Sequence, residues 1–169
     1  NDVSLGFAAD TITGIIGPNG AGKTTLLNMI SGDTQPSEGT VSIGKAVRAS
    51  AAHLFARSGI ARTFQNIRIF PRMTVLENVV LAARQVEPTL AAAESAAFRE
   101  LSRMELGQYA DRPASTLAYG SRRRLEVARA LALKPRFLLL DEPAAGMNAV
   151  ETAELVDILR SVRASRRIG

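Results

Sequence analysis

The sequence has no cysteine and a single histidine among its 169 residues. Without cysteine the chain has no disulfide framework, no cysteine-built zinc site and no thiol nucleophile. The lone His53 excludes metal sites that need several imidazoles, and we interpret it as a residue on a helix surface. No apolar run approaches the roughly 18 residues of a membrane span, and no signal peptide is visible. We therefore expect a chain that is soluble in its own right, with the cytoplasm as its default compartment.

The composition is that of a folded domain. Apolar residues make up 46% and charged residues 22% of the chain, which argues against wholesale disorder, and the length suits one domain with one sizeable core. The formal net charge of +5 suits an anionic partner such as a nucleotide, a nucleic acid or a lipid surface, without selecting among them.

Apolar runs separated by turn residues predict alternating strands and helices. Strands are predicted at residues 3–7, 11–17, 40–43, 59–65 and 136–143, and helices at residues 23–31, 51–58, 74–84, 89–105, 121–133 and from 149 onward. Thr74 and Glu77 have the spacing of a capping box. A strand that is apolar on both faces, such as that at 136–143, is typical of a parallel sheet covered by helices. This order predicts an α/β fold with an inserted helical block at residues 71–122.

A glycine-rich turn, GPNGAGKT, stands between the predicted strand at residues 11–17 and the predicted helix at residues 23–31. It matches G-x-x-x-x-G-K-[ST], in which glycines let backbone N–H groups surround phosphate oxygens at a helix N-terminus. In this motif Lys23 reaches the β- and γ-phosphates and the Thr24 hydroxyl binds Mg²⁺. The predicted nucleotide-binding residues are Gly17, Pro18, Asn19, Gly20, Ala21, Gly22, Lys23, Thr24 and Thr25.

Two carboxylates, Asp141 and Glu142, directly follow the apolar run FLLL. The carboxyl ends of parallel strands face the ligand crevice, so we expect this pair beside the phosphate loop. Asp141 would hold Mg²⁺, directly or through water. Glu142 would orient and deprotonate the attacking water. Together with the phosphate loop, the pair predicts a site for a nucleoside triphosphate and Mg²⁺.

The order of motifs resembles the nucleotide-binding subunit of ABC transporters over nearly the whole chain. Residues 60–79, with Gln65, look like the family's glutamine-loop region, LAYGSRRRLEVARAL looks like its signature motif and following helix, and DEPAAGMN looks like the acidic strand end plus the D-loop. The resemblance implies a P-loop NTPase fold, with a RecA-like core, a mostly parallel sheet and an inserted α-helical subdomain. The implied domain spans residues 1–169, with the nucleotide-binding core at 1–70 and 123–169 and the helical subdomain at 71–122.

Three short segments narrow the resemblance. RTFQ at residues 62–65, LAYG at 117–120 and DEPAAG at 141–146 together resemble the ATP-binding subunits of branched-chain amino-acid importers. Related importer ATPases for urea or other hydrophobic amino acids share much of this pattern. We therefore expect an ATP-hydrolysing subunit that powers an importer, with branched-chain amino acids as the expected cargo.

The resemblance also implies partners and residue roles. Such subunits work as head-to-tail dimers, homomeric or heteromeric, beneath two permease subunits at the cytoplasmic face of the inner membrane, and no nucleic acid is expected. Each ATP is sandwiched between one subunit's phosphate loop and the other's signature motif, here Leu117, Ala118, Tyr119, Gly120 and Ser121. The helical subdomain docks the membrane subunit. The implied catalytic residues are Glu142 and Gln65, and the implied Mg²⁺ ligands are Thr24, Gln65 and Asp141.

The sequence departs from the family pattern at its signature, at its D-loop and at both ends. Ala118 stands where the signature usually has serine, and Asn148 stands where the D-loop usually ends in aspartate. The aromatic residue that stacks on adenine would precede Asn1, and the switch histidine would follow Gly169. We therefore expect both ends to be cut, which predicts weak nucleotide binding and poor hydrolysis by this chain alone.

Other functions remain open from the sequence. An ABC-family ATPase acting on nucleic acid or ribosomes is favoured by the positive charge, although no paired domain or long coiled-coil insertion is visible. A non-hydrolysing nucleotide-binding module is favoured by Ala118 and Asn148 and opposed by Glu142. A P-loop kinase or GTPase would leave Gln65 and LAYG unexplained.

Three consecutive arginines, Arg122, Arg123 and Arg124, follow the signature-like segment. Successive helical residues point roughly 100° apart, so the three guanidinium groups cannot all face one phosphate. We expect at most one beside the nucleotide and the others in surface ion pairs or subunit contacts.

Overall fold

The structure is a computed structural model that describes residues 3–43, 47–48, 52–166 and 168–169. The helices are α1 (Lys23–Ser31), α2 (Ala52–Arg57), α3 (Val75–Ala83), α4 (Leu90–Arg103), α5 (Tyr119–Ala132) and α6 (Ala149–Arg166). The strands are β1 (Ser42–Ile43), β2 (Val47–Arg48), β3 (Ile60–Arg62) and β4 (Phe137–Leu139), and short 3₁₀ turns lie at Gly107–Tyr109 and Ala114–Thr116.

A parallel pair of strands, β3 and β4, positions the candidate site. Ile60 pairs with Phe137 and Arg62 with Leu139, and the N–H of Thr63 donates to the carbonyl of Leu139 at 3.0 Å. Because parallel strands run in the same direction, the residues that follow β3 and β4 leave the sheet at the same edge. The predicted α/β class with parallel strands is confirmed, while β1 and β2 pair antiparallel.

The predicted strands at residues 3–7 and 11–17 are wrong, because both segments are irregular. Their apolar side chains are largely exposed, at 67% for Val3, 61% for Leu5, 66% for Ile12 and 94% for Ile16. A strand needs a neighbour to satisfy its N–H and C=O groups. No ladder includes these segments within the residues that the structure describes. The edge of β4 away from β3 bonds instead to Gly169, whose carbonyl accepts from the N–H of Leu138 at 2.9 Å.

The helices lie close to their predicted positions because their end signals are local. Helix α1 has the predicted bounds, Lys23–Ser31. Helix α3 begins after Thr74, whose hydroxyl accepts from the N–H of Glu77 at 3.0 Å, while the Glu77 carboxylate accepts from the N–H of Thr74 at 2.7 Å. The predicted capping box is therefore confirmed. Two orphan N–H donors of the first turn gain partners in this way.

The main hydrophobic core lies among α3, α4 and α5. Its fully buried members include Val75, Val79, Leu101, Leu106, Leu125 and Leu131. Helix α4 contributes Ala93, Ala96 and Ala97, whose small side chains are all buried. Burying one Leu or Val side chain stabilises a fold by about 1.5–3 kcal/mol, so the buried side chains of these three helices contribute strongly to stability.

A smaller cluster lies beside the parallel strands. Ile43, Phe55 and Ile60 are buried together, with Phe137 and Leu139 packed against them. This cluster anchors α2 and β3 to β4, and thereby fixes where the two strands end.

Candidate nucleotide site

The phosphate loop joins the exposed segment at residues 11–16 to α1. Gly22 has φ of 90° and no side chain caps the helix that starts at Lys23, so the first N–H groups of α1 point out of the helix N-terminus. A residue with a Cβ is strained at this φ, which explains the need for glycine. The ammonium group of Lys23 donates to the carbonyls of Gly17 at 2.8 Å and Pro18 at 3.0 Å. The loop thus gathers backbone dipoles and one cation, as an anion site requires.

Thr24 and Asp141, which are 117 residues apart, meet beside this loop. The hydroxyl of Thr24 donates to Oδ1 of Asp141 at 3.4 Å, and Asp141 is only 4% exposed. A hydroxyl and a carboxylate are the hard oxygen ligands that Mg²⁺ prefers, with waters and substrate phosphates completing the shell. Within residues 3–43, 47–48, 52–166 and 168–169 no cluster of three or more His, Cys, Asp or Glu exists. The oxygen set therefore fits Mg²⁺ bound with phosphates, and it does not form an all-protein cage.

Gln65 and Glu142 form a second contact beside this pair, since Glu142 directly follows Asp141 in the sequence. The amide Nε2 of Gln65 donates to Oε2 of Glu142 at 3.4 Å, and both side chains are exposed. Glu142 has φ of 47°, a left-handed backbone that is uncommon for any residue but glycine. The structure thus brings the two predicted catalytic side chains together at the exit of β3 and β4.

The signature-like segment forms the start of α5. Helix α5 begins at Tyr119 after Ala118, and no side chain caps it, so its first N–H groups are available to an anion. A Cβ at Gly120 would lie 2.5 Å from Oε1 of Glu151, which explains the glycine by close approach. Glu151 is itself held, because its carboxylate accepts from the N–H of Asn148 at 3.0 Å.

The predicted signature and phosphate-loop residues are not joined within the chain. In the described part of the sequence, no hydrogen bond or ion pair links residues 117–121 to residues 17–25. Leu117 and Gly120 are buried, while Ala118 and Tyr119 are exposed. Within the described residues, the two halves of the predicted ATP sandwich are therefore not bonded to each other.

The three arginines have three different environments. Arg122 donates to the carbonyls of Ser115 at 2.7 Å and Leu117 at 2.8 Å, and Arg124 forms a surface ion pair with Glu105 at 3.0 Å. Arg123 has no exposed surface, so it is not among the arginines expected in surface ion pairs or subunit contacts. The helical spacing from Gly120 through Arg123 to Val127, all buried, was the signal that could have identified it.

Arg62 is a second site residue that sequence reasoning missed. Its Nη2 lies 3.2 Å from Oδ2 of Asp141 and its Nη1 2.9 Å from Oδ2 of Asp33, while Nη1 also donates to Oγ of Ser31 at 2.9 Å. The guanidinium lies 5.2 Å from the ring centroid of Phe64. Arg62 therefore ties the end of α1 to the carboxylate that would hold Mg²⁺, and its position inside RTFQ was the only sequence signal.

Arg129 contacts the segment that follows Gln65. Its Nη1 donates to the carbonyl of Arg68, and its guanidinium lies 5.0 Å from the ring centroid of Phe70. Burial lowers the pKa of the Arg129 guanidinium, and the carboxylate of Glu126 opposes that shift. His53, in contrast, is exposed on α2, as expected.

Comparison with known proteins decides the family. The sequence profile of the ABC transporter family matches residues 1–145, most of the chain. The chain belongs to the ABC transporter family. The ABC protein has no helix within its described residues that is both long and apolar enough to cross a membrane.

Individual relatives agree with this assignment. The ABC protein is 39% identical to the high-affinity branched-chain amino acid transport ATP-binding protein BraF of Pseudomonas aeruginosa, over 99% of this chain and 72% of BraF. It is 40% identical to the corresponding protein LivG of Salmonella typhimurium, over 96% of this chain and 70% of LivG. The ADP conformation of MJ1267, an ATP-binding cassette of an ABC transporter, covers 95% of this chain and 68% of that one, with a TM-score of 0.81 and 30% identity.

These likenesses confirm the P-loop NTPase fold and the expected resemblance to ABC ATP-binding subunits. The ABC protein is an ATP-binding, ATP-hydrolysing enzyme coupled to transport. The roles of its individual residues stay predictions that the geometry above makes specific.

Proposed function

We propose that this protein is the ATP-hydrolysing subunit of an importer for branched-chain amino acids. The observation that carries the hydrolytic part is the meeting of Thr24 with Asp141 and of Gln65 with Glu142 at one edge of β3–β4. The cargo is supported by the likeness to BraF and LivG, whose names specify branched-chain amino acid transport. The import direction rests on the RTFQ, LAYG and DEPAAG segments.

The predicted residues divide the chemistry between them. The phosphate loop and Lys23 would bind the β- and γ-phosphates of ATP. Thr24, Asp141 and Gln65 would hold Mg²⁺, which neutralises phosphate charge when it is bound. Glu142 accepts a proton from water while the water oxygen attacks the γ-phosphorus and the bond to the bridging oxygen of ADP breaks. Gln65, bonded to Glu142, orients that water.

A dimer would bring the signature of one subunit to the phosphate loop of the other, since no hydrogen bond or ion pair joins these two segments within the described part of one chain. Each ATP would lie between the phosphate loop of one subunit and residues Leu117–Ser121 of the partner, whose exposed helix N-terminus offers unpaired N–H groups to the γ-phosphate. The partner is either a second copy or a related subunit. Since Ala118 has no hydroxyl, backbone donors of Tyr119 and Gly120 would contact the phosphate.

The helical block is the proposed docking site for membrane-spanning permease subunits. We divide the chain into a nucleotide-binding core at residues 1–70 and 123–169 and a helical subdomain at residues 71–122. Helices α3 and α4 of this subdomain pack on α5, most of which belongs to the core. Leu81 and Leu90 on these helices are 42% and 54% exposed. The subunit would therefore lie peripherally at the cytoplasmic face of the inner membrane, without a nucleic-acid partner.

Replacing Glu142 with Gln tests the catalytic assignment. The amide cannot take the proton, so ATP turnover should fall about 10²–10⁴-fold, as expected when a general base is lost, while ATP still binds and promotes dimerisation. The measurement is phosphate release by the full-length protein assembled with its permease, alongside nucleotide binding. Glu38→Gln, at an exposed carboxylate outside the helical subdomain, is the matched control. Wild-type turnover in Glu142→Gln would exclude Glu142 as the base.

The same assay separates the transporter from its alternatives. ATPase activity should rise with the permease and a branched-chain amino acid, and should not respond to RNA or DNA. Stimulation by nucleic acid alone would contradict the transport assignment. ATP binding without any turnover would instead indicate a non-hydrolysing module.

A further inference from the structure

Arg123 is the most completely buried cation in the described chain, and its hydrogen bonds account for every donor that it has. A guanidinium carries five N–H donors in a planar fork. In this structure they meet the carbonyls of Phe64, Asp141, Glu142 and Pro143 and the carboxylate of Glu126. The distance from Nη2 to the carbonyl of Glu142 is 2.8 Å, and that to the carbonyl of Asp141 is 3.0 Å. One side chain therefore binds the backbone of both segments that carry the catalytic pair.

Glu126 adds further hydrogen bonds to the segment that contains Gln65. Its Oε2 accepts from Arg123 at 2.7 Å, and its Oε1 accepts from the N–H groups of Phe64 at 3.2 Å and Arg68 at 3.4 Å. Arg123 donates to the carbonyl of the same residue, Phe64. The residue directly before Gln65 thus has both its N–H and its C=O fixed by one ion pair on α5.

The backbone conformation of Glu142 explains why these hydrogen bonds from Arg123 are needed. Its φ of 47° lies in the left-handed region, which is unfavourable for a residue with a side chain and persists only where its surroundings hold it. Arg123 binds the carbonyls on both sides of this backbone turn, those of Asp141 and Pro143, as well as that of Glu142 itself. In this conformation the Glu142 carboxylate reaches Nε2 of Gln65 at 3.4 Å.

We propose that Arg123 is a positioning residue for ATP hydrolysis, which holds Glu142 and Gln65 in register through their backbones without touching the nucleotide. The inference rests on the proposed roles of Glu142 and Gln65. It assigns to the second arginine of SRRR a function that neither neighbour shares, because Arg122 and Arg124 bind elsewhere. Only a guanidinium can serve all five acceptors, since lysine has three donors on a single nitrogen and cannot reproduce the fork.

Arg123→Lys and Arg123→Met test the proposal in the full-length protein assembled with its permease. A small displacement of catalytic groups can cost about 100-fold in rate, so kcat should fall at least tenfold in Arg123→Lys and further in Arg123→Met. KM for ATP should change less than threefold, since the phosphate loop is untouched. Arg124→Met is the matched control, because it removes an adjacent arginine from a surface ion pair, and its kcat should equal the wild-type value.

Two outcomes would overturn the proposal. The first is a wild-type kcat in a folded Arg123→Met or Arg123→Lys protein, with folding checked by circular dichroism and thermal unfolding. If Arg123→Met does not fold, Arg123→Lys decides the matter, because it keeps a cation beside Glu126. The second is an unchanged kcat together with a raised KM, which would assign Arg123 to nucleotide binding.

A double variant distinguishes positioning from a general loss of stability. If Arg123 acts through Glu142, then Arg123→Met should lower the residual single-turnover rate of Glu142→Gln by less than threefold, far below its effect on the wild type, since groups that act as a unit are not additive. An equal fall in both backgrounds would contradict the proposal. Failure of the proposed function would give a different result, because Glu142→Gln would then keep the wild-type rate whether or not Arg123 is replaced.

Discussion

Val79 in α3 has no exposed surface, whereas Ile16, just before the phosphate loop, is 94% exposed. Both are β-branched apolar residues in segments with clear hydrophobic patterning. The difference lies in where each segment finds hydrogen-bond partners. A helix satisfies most of its backbone groups within itself, so α3 can form and then bury its apolar face. A strand depends entirely on its neighbours, and the segment at residues 11–17 has no ladder partner in the described chain.

The same comparison shows how burial and function are distributed. The helical block carries most of the buried core, while most of the phosphate loop and the proposed catalytic residues Gln65 and Glu142 are exposed. Loops that bind ligands are drawn from the less stable parts of a fold, and rigid elements hold them in place. Stability and nucleotide chemistry should therefore respond to different substitutions.

The largest effect in this comparison should come from Leu101→Ala. Leu101 is fully buried in α4, and removing such a side chain costs about 2–5 kcal/mol because a cavity remains. Urea unfolding of the full-length protein should show this loss in the transition midpoint at an unchanged slope. A loss below about 1 kcal/mol, the range of tolerated swaps, would mean that the helical block is not the main source of stability.

A smaller effect is expected from Thr74→Ala, which sharpens the comparison within the helical block. The substitution removes the side chain that accepts from the N–H of Glu77 and should cost about 1 kcal/mol. Thr89→Ala, at the start of α4, removes the single cap bond to Ala92 and is the matched control without a capping box. We expect Thr89→Ala to be the milder change in urea unfolding, and the reverse order would argue against the reciprocal bond from Glu77.

The smallest effect should come from Ile16→Ala. Because the side chain is almost wholly exposed, its loss should change the free energy of unfolding by no more than about 0.5 kcal/mol, as for most surface substitutions. Val79→Ala, at a fully buried β-branched position, provides the opposite extreme. A loss from Ile16→Ala comparable to that from Leu101→Ala would show that residues 11–17 pack as a core strand in the folded protein.

The sequence predicts those features whose causes are local. The bounds of α1, the capping box at Thr74 and the exposed place of His53 follow from signals within a few residues. Whether residues 3–7 and 11–17 form strands could not be judged from their alternation of apolar and polar residues. That alternation indicates which face of a strand would be buried, but it does not show whether a neighbouring strand is present to pair with it. For the candidate site, the motifs predicted which residues gather at the strand ends.

The motifs could not predict which side chains hold those residues in place. Arg62 and Arg123 act across 79 and 18 residues of sequence on Asp141, and no short pattern encodes contacts at those separations. A run of arginines after a glycine is typical of a solvated helix face, and only the helical spacing of Arg123 with Gly120 and Val127 distinguishes it from its two neighbours in the sequence. Basic residues in this protein therefore serve the interior as well as the surface.

The close approach of Gly120 to Glu151 affects how variants of this segment should be interpreted. A methyl group at residue 120 would push away a carboxylate that is already committed to the first turn of α6. Because the carboxylate is the end of a flexible side chain, its shift would chiefly disturb the bond that Glu151 accepts from the N–H of Asn148 at the start of α6. A defect from any larger residue at 120 thus has two possible origins, a steric one within the chain and one at the proposed dimer face, and an isolated subunit would show only the first.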